Sequence, residues 1–256
     1  MLSLLVGLAA LADLLIWRLL PSAWQDWLFL PFLLLVTWVI FNLRLDLARQ
    51  KRQVWLNQYL EAESSLQQPL QVGWLGLVSH LLVSLLLALL LLLQVLLISW
   101  ELALTLALSL PLLHFIKKGL NLWLLPQVRT EYRRLLGCYW LVIILTLLLT
   151  ALLTLAFVYQ PQPWLIGSSL SQVINEHLDV SRSSSLLGAL ERGLQLVVLT
   201  QHWALQNFIG DLGRSGWLGL LAWLLVLGVQ ASLALAVSYW LVAADYLIRK
   251  LYEQEN

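Results

Sequence analysis

The stretch that decides the fold is residues 72–99, VGWLGLVSHLLVSLLLALLLLLQVLLIS, 28 residues with no Asp, Glu, Lys or Arg. As a helix rising 1.5 Å per residue it measures about 42 Å, more than the roughly 30 Å hydrocarbon core of a bilayer, so it spans a membrane with tilt. The rest of the chain has the same character. Of 256 residues 61% are hydrophobic, 11% are charged and 78 are leucine. A soluble domain has about 45–50% apolar and about 25% charged residues. This composition excludes a soluble enzyme, a disordered tail and a nucleic-acid-binding module. The net charge of +1 supplies no basic field for nucleic acid.

Upstream of this span, residues 2–20 form a first apolar segment closed by Pro21, and residues 27–43 a second, with Trp24 and Trp27 as interface anchors. The first segment has no basic leader region and carries Asp13 within it, so it reads as a retained span rather than a signal peptide. Residues 44–71 are polar, with Arg44, Arg49, Lys51 and Arg52 followed by Glu61 and Glu63, and are expected as an amphipathic helix at or below the membrane surface.

Downstream, Glu101 marks a tight turn. Residues 102–116 form a short span of about 22 Å that contains Pro111 and is stopped by Lys117 and Lys118. A basic segment, 117–135, carries Arg129, Arg133 and Arg134. The fifth span, 136–159, ends at Pro161 and Pro163, and the sixth, 215–244, is closed by Arg249 and Lys250. Between them lies the long polar stretch 160–214.

The expected architecture is therefore an all-α, polytopic integral membrane helical bundle of about six transmembrane helices with both termini cytoplasmic. Its units are helices 1–2 (1–43), a basic segment (44–71), a hairpin (72–116), a second basic segment (117–135), helix 5 (136–159), an extracytoplasmic segment (160–214), and helix 6 with a short tail (215–256). With both termini inside, 11 of the 15 basic residues fall on the cytoplasmic side, as the positive-inside rule requires. The expected location is the cytoplasmic (inner) membrane of a bacterium.

Within 160–214, Glu191, Gln195, His202 and Gln206 share one helical face, and Leu187, Leu190, Leu194, Val197, Leu205 and Phe208 lie largely opposite. The spacing predicts an amphipathic helix on the outer surface; a re-entrant segment lining a cavity is the competing reading. Gly73-Trp74-Leu75-Gly76-Leu77 recurs as Gly216-Trp217-Leu218-Gly219-Leu220, which would fit an inverted repeat, although chance matches are easy in so leucine-rich a chain.

Ionisable and polar residues inside a membrane are the natural functional candidates. Here they are Asp13, His80, Gln94 and His114. Asp13 reads either as a proton or ion site or as a hydrogen-bonding group between helices. His80 and His114 sit in adjacent spans at depths about 10 Å apart, too unequal to ligate one haem. Gly228, Ser232 and Ala236 recur every four residues and allow close helix packing, against a partner or within the chain. Asp245 and Arg249 form an i,i+4 pair expected at a solvated helix end. Lys51, Arg52, Lys117 and Lys118 are candidates for anionic-lipid contact. The single cysteine, Cys138, excludes an intrachain disulfide and a cysteine-based zinc or iron–sulfur site.

There is no G-x-S-x-G, H-E-x-x-H or phosphate-binding glycine loop. No metal and no cofactor is expected. The reading that follows is a non-enzymatic membrane subunit, an anchor or scaffold in a multi-protein complex. The alternative is a small secondary transporter or channel using Asp13. The expected partners are the lipid bilayer and other membrane subunits or a second copy, and not nucleic acid.

Overall fold

The structure, a computed structural model, describes residues 2–59, 73–160, 163–178, 185–209 and 212–255. Among these every regular element is helical: α1 (Leu2–Leu19), α2 (Ser22–Tyr59), α3 (Trp74–Leu97), α4 (Trp100–Ala107), α5 (Ser109–Trp123), α6 (Thr130–Tyr159), α7 (Leu170–His177), α8 (Leu186–Ala204) and α9 (Leu212–Glu255). A 3-10 turn, Leu125–Gln127, joins α5 to α6, and a π-helical turn, Leu205–Ile209, follows α8.

Among the described residues five helices are long and apolar enough to cross a membrane: Ser22–Leu56, Trp74–Leu97, Leu102–Trp123, Tyr132–Tyr159 and Gly216–Tyr252. Their outward faces are apolar as well, with Leu34, Trp38, Leu82, Leu86, Leu147 and Leu155 all exposed. In water such a surface would associate; against lipid tails it is matched. The chain is thus built as a multi-pass membrane protein. The first expected span, α1, is the one left outside these five; it has 18 residues and measures about 27 Å.

The core gathers around the second half of α9, where Leu233, Ala234, Ala236, Val237, Leu241 and Ala243 are buried. α9 packs along α6 and also touches α1, α2 and α3. Two indoles fasten α1 into this core. The Trp17 Nε1–H donates to the Leu92 carbonyl of α3 at 3.1 Å, and the Trp240 Nε1–H donates to the Ala10 carbonyl of α1 at 3.0 Å. Val6, Ala10, Leu14 and Trp17, spaced three or four apart, form the buried stripe of α1. Gln25 donates to the carbonyls of Trp17 and Arg18, at 3.1 and 3.3 Å, which the last turn of α1 leaves without helical partners.

Two helices run past the boundaries expected for them. The basic segment does not lie apart from the second span: α2 runs without a break through Arg44, Arg49 and Arg52 for 38 residues, about 57 Å. Residues 60–71, including Glu61 and Glu63, lie outside the described residues. The fourth span does not stop at Lys117 and Lys118. The chain breaks at Leu108, because Pro111 has no N–H to give the Ala107 carbonyl, and α5 then continues to Trp123. Lys117 is carried inside the helix because its charge is paired, as described below.

The two Gly-Trp-Leu-Gly-Leu stretches stand at the beginnings of α3 and α9, which run in opposite directions: His80 and Tyr239 line one cavity, while Gln94 bonds Ser232. Trp74 and Trp217 are both exposed.

Removing either buried indole N–H, by Trp17→Phe or Trp240→Phe, should lower stability by about 0.6–1 kcal/mol. This is read as a lower midpoint of thermal unfolding in mild detergent. Trp123→Phe, at an exposed site, should leave the midpoint unchanged; equal midpoints for all three variants would remove the indoles from the account.

Candidate functional site

Polar side chains are sorted between the two ends of the bundle. At one end, here the basic end, meet the second half of α2, the start of α3, the end of α5, the start of α6 and the end of α9. At the opposite end α8 packs where α3 and α6 finish.

The basic end holds two cavities. The first, about 330 Å³, is lined by Lys117, Asn121, Arg133, Arg134, Asp245, Tyr246 and Arg249 among others. Asp245, buried rather than solvated as expected, forms ion pairs with Lys117 of α5 and, at 3.2 Å, with Arg249. The Arg134 guanidinium sits 4.5 Å over the Tyr246 ring. Tyr246 in turn donates to Asp46 of α2 at 3.1 Å, and Lys250 pairs with the same carboxylate at 2.6 Å. Two aspartates thereby tie three helices through four cationic or phenolic groups, which offsets the cost of leaving charges in weakly hydrated surroundings.

The second cavity, about 580 Å³, is lined by Arg44, Lys51, Arg52, Trp55, His80, Tyr139 and Tyr239, with Leu47, Ala48 and Leu135. Among the described residues no carboxylate lines it. The α2 contribution comes from one face: Arg44, Leu47, Ala48, Lys51, Arg52 and Trp55 follow the three- and four-residue spacing of a helix. The Arg44 guanidinium lies 5.2 Å from the Tyr239 ring centre and that of Arg52 lies 4.4 Å from Trp55.

At the opposite end a small cavity of about 80 Å³ is lined by Gln94, Ser99, Gln160, Gln201, His202 and Gln230 with apolar neighbours. Its volume suits two or three waters. Gln201 is fully buried and donates to the Leu225 carbonyl at 3.2 Å; His202 stacks on Phe157 with ring centres 4.6 Å apart. Burial lowers the His202 imidazole to about 4.

The polar residues around the end of α8 thus face protein, not solvent. Gln206 accepts from the Leu165 N–H at 2.7 Å and donates to the Pro163 carbonyl at 2.8 Å. Asn207 accepts from the Gly167 N–H at 3.0 Å and donates to the Leu165 carbonyl at 3.1 Å. The loop they hold turns at Gly167, whose φ of 81° favours glycine. The expected surface helix with an outward polar face is replaced by a helix whose carboxamides satisfy a loop.

Each candidate from the sequence can now be placed. Asp13 is exposed on α1 and has no hydrogen bond or ion pair among the described residues. His80 enters the second basic-end cavity, whereas His114 is exposed beside Phe115 on α5; the two do not converge. Gln94 is buried and donates to Ser232 Oγ at 2.8 Å. Ser232 and Ala236 therefore pack within the chain, while Gly228 is exposed. Lys51 and Arg52 line a cavity, Lys117 is ion-paired and Lys118 is exposed. Among the described residues no three His, Cys, Asp or Glu side chains gather as a metal site would need. Sequence reasoning missed Asp46, Trp55, Tyr139 and Tyr239. The spacing of Arg44, Lys51, Arg52 and Trp55 on one helical face carried the signal for the α2 part.

Compared with known proteins, the chain matches no family model, no curated protein and no solved structure.

Asp245→Leu removes the buried carboxylate that Lys117 and Arg249 share and should cost about 2 kcal/mol, below the roughly 3–5 kcal/mol of a fully buried pair because Lys117 is partly exposed. The double variant Lys117→Met/Asp245→Leu should recover much of that loss in thermal unfolding. A double variant less stable than the single would contradict the pairing.

His202 gives a pH signature. Its folded-state value lies below the ordinary 6.5, so the stability it contributes as a neutral ring is present above about pH 6.5 and is lost as pH falls toward 4. His202→Gln should flatten unfolding midpoints across that window relative to the parent; an unchanged slope would count against it.

Proposed function

We propose that the chain is a non-enzymatic subunit of a membrane assembly, an anchor or scaffold that docks other membrane chains through α1. The observation that carries this reading is the position of Asp13. Ala10 and Trp17, the two tie points of α1, bracket it along the helix. Trp240, which bonds Ala10, lies five residues from Asp245 at the basic end, and Asp13 lies three residues beyond Ala10, so Asp13 stands about 12 Å above that end, close to mid-membrane. Asp13 is exposed at the edge of the open face of α1, which carries Leu5, Leu8, Ala9, Ala12 and Ile16.

A carboxyl facing lipid at that depth costs about 2.5–3.5 kcal/mol or more. A neighbouring transmembrane helix that supplies a hydrogen-bond donor relieves the cost, and small Ala9 and Ala12 let its backbone approach. A transporter using Asp13 would instead place it on an interior polar path, and the cavities at the two ends described above are lined by other residues. The collection of basic residues at one end supports six spans with both termini on the cytoplasmic side of an inner membrane.

Purification in mild detergent should yield stoichiometric co-eluting membrane chains. Asp13→Leu should release them and Asp13→Asn, which keeps hydrogen-bonding capacity, should retain them. A lone monodisperse protein that moves an ion in liposomes, with that activity lost in Asp13→Asn, would replace this reading with the transporter.

A further inference from the structure

We infer that the second basic-end cavity is the headgroup site for an anionic amphiphile whose chain lies in an adjoining groove between α6 and α9. Four observations converge. The cavity is cationic on one side, with Arg44, Lys51 and Arg52, and among the described residues no carboxylate lines it. The first basic-end cavity contrasts with it, because Asp245 already supplies an anion there.

Two residues of its wall each keep a polar atom without a partner: Arg44 Nε and His80 Nδ1 are both buried and unbonded. Buried polar atoms are paired in nearly all structures, so a small shift of these side chains toward a bound anion would complete them. The rings of Tyr239 and Trp55 lie against the Arg44 and Arg52 guanidiniums and hold them in place. Planar guanidinium groups suit the paired oxygens of a phosphate or similar anion.

The cavity also continues into an apolar groove. Tyr139, Tyr239 and Leu47 are shared with a neighbouring cavity of about 210 Å³, otherwise lined by Val142, Ile143, Thr146, Leu147 and Leu235. From Tyr139 to Leu147 the groove follows α6 for eight residues, about 12 Å, away from the basic end. A charged head above and a hydrocarbon chain below match that arrangement, which a small inorganic anion fills only in part. The basic end is also where an anionic leaflet would meet the protein.

The probe is diacyl phosphatidylglycerol in neutral-detergent mixed micelles, titrated while tryptophan fluorescence is followed, with phosphatidylcholine and inorganic phosphate as parallel arms. Saturable binding of phosphatidylglycerol at least tenfold tighter than of phosphatidylcholine or phosphate is expected. Arg44→Gln should weaken it about tenfold, the loss of one charge-assisted hydrogen bond. Ala48→Phe keeps every charge and fills the cavity, so it should abolish binding even if Arg44→Gln fails to fold. Leu235→Trp, in the groove, should weaken the lipid while leaving the phosphate arm unchanged. Lys118→Gln, away from the cavity, should change nothing. Phosphate binding as tight as the lipid would leave a free-anion site and overturn the amphiphile. Equal affinity for both lipids, or full affinity in Ala48→Phe, would overturn the site itself. None of these readouts depends on partner chains, so the result stands apart from the scaffold reading.

Discussion

The ion pair between Lys117 and Asp245 is the interaction around which the basic end is arranged. Lys117 lies fifteen residues into the hairpin's second limb, where a charge would ordinarily end an apolar helix. Paired with a carboxylate on α9, it is carried past the boundary, and α5 continues to Trp123. Asp245 is in turn held from its own helix by Arg249. The place of α5 beside α9 is thereby marked at one point by charge, while the packing of α5 is against α6 and α1. Leucine packing alone discriminates poorly among registers, since neighbouring leucines offer similar surfaces to neighbouring grooves. A buried polar pair is matched in one register only, and mismatching it leaves charges uncompensated.

The two indole bonds act in the same way on α1. Trp17 and Trp240 donate to carbonyls of different helices seven residues apart along α1, which sets both its rotation and its height. That rotation leaves Asp13 at the edge of the buried stripe, three residues from Ala10 and four from Trp17, where it is nevertheless exposed.

Much of this was legible in the sequence. The uncharged 72–99 run, the leucine content and the grouping of basic residues were enough for an all-α bundle with long apolar helices, because hydrophobic length is a one-dimensional property. Boundaries were less legible where a charged residue stayed in the helix. Arg44, Lys117 and Asp245 read as span ends, but each has a partner or an aromatic neighbour on another helix, and no one-dimensional rule shows that partner. The same limit applies to α8. Gln206 belongs to the face of Glu191, Gln195 and His202 that reads as wet, yet a carboxamide donates and accepts at once, so Gln206, with Asn207, serves equally to satisfy a loop backbone, as residues 163–168 require. Periodicity separates two faces of a helix without stating which faces water.

The contrast between the two basic-end cavities comes down to helical register on α2. Arg44 and Asp46 are two residues apart, so their side chains leave the helix about 200° from one another. Asp46 is therefore turned toward the end of α9, where Lys250 and Tyr246 take up its charge, and Arg44 toward the cavity lined by His80 of α3, Tyr139 of α6 and Tyr239 of α9. Had the carboxylate stood one helical turn from Arg44, the pair would have neutralised itself on one face, and the cavity beside His80 would have kept only Lys51 and Arg52 as cations. The sequence Arg-Leu-Asp at 44–46 instead sends its two charges to different neighbours. One stabilises the bundle; the other leaves a positive cavity at the edge of an apolar groove.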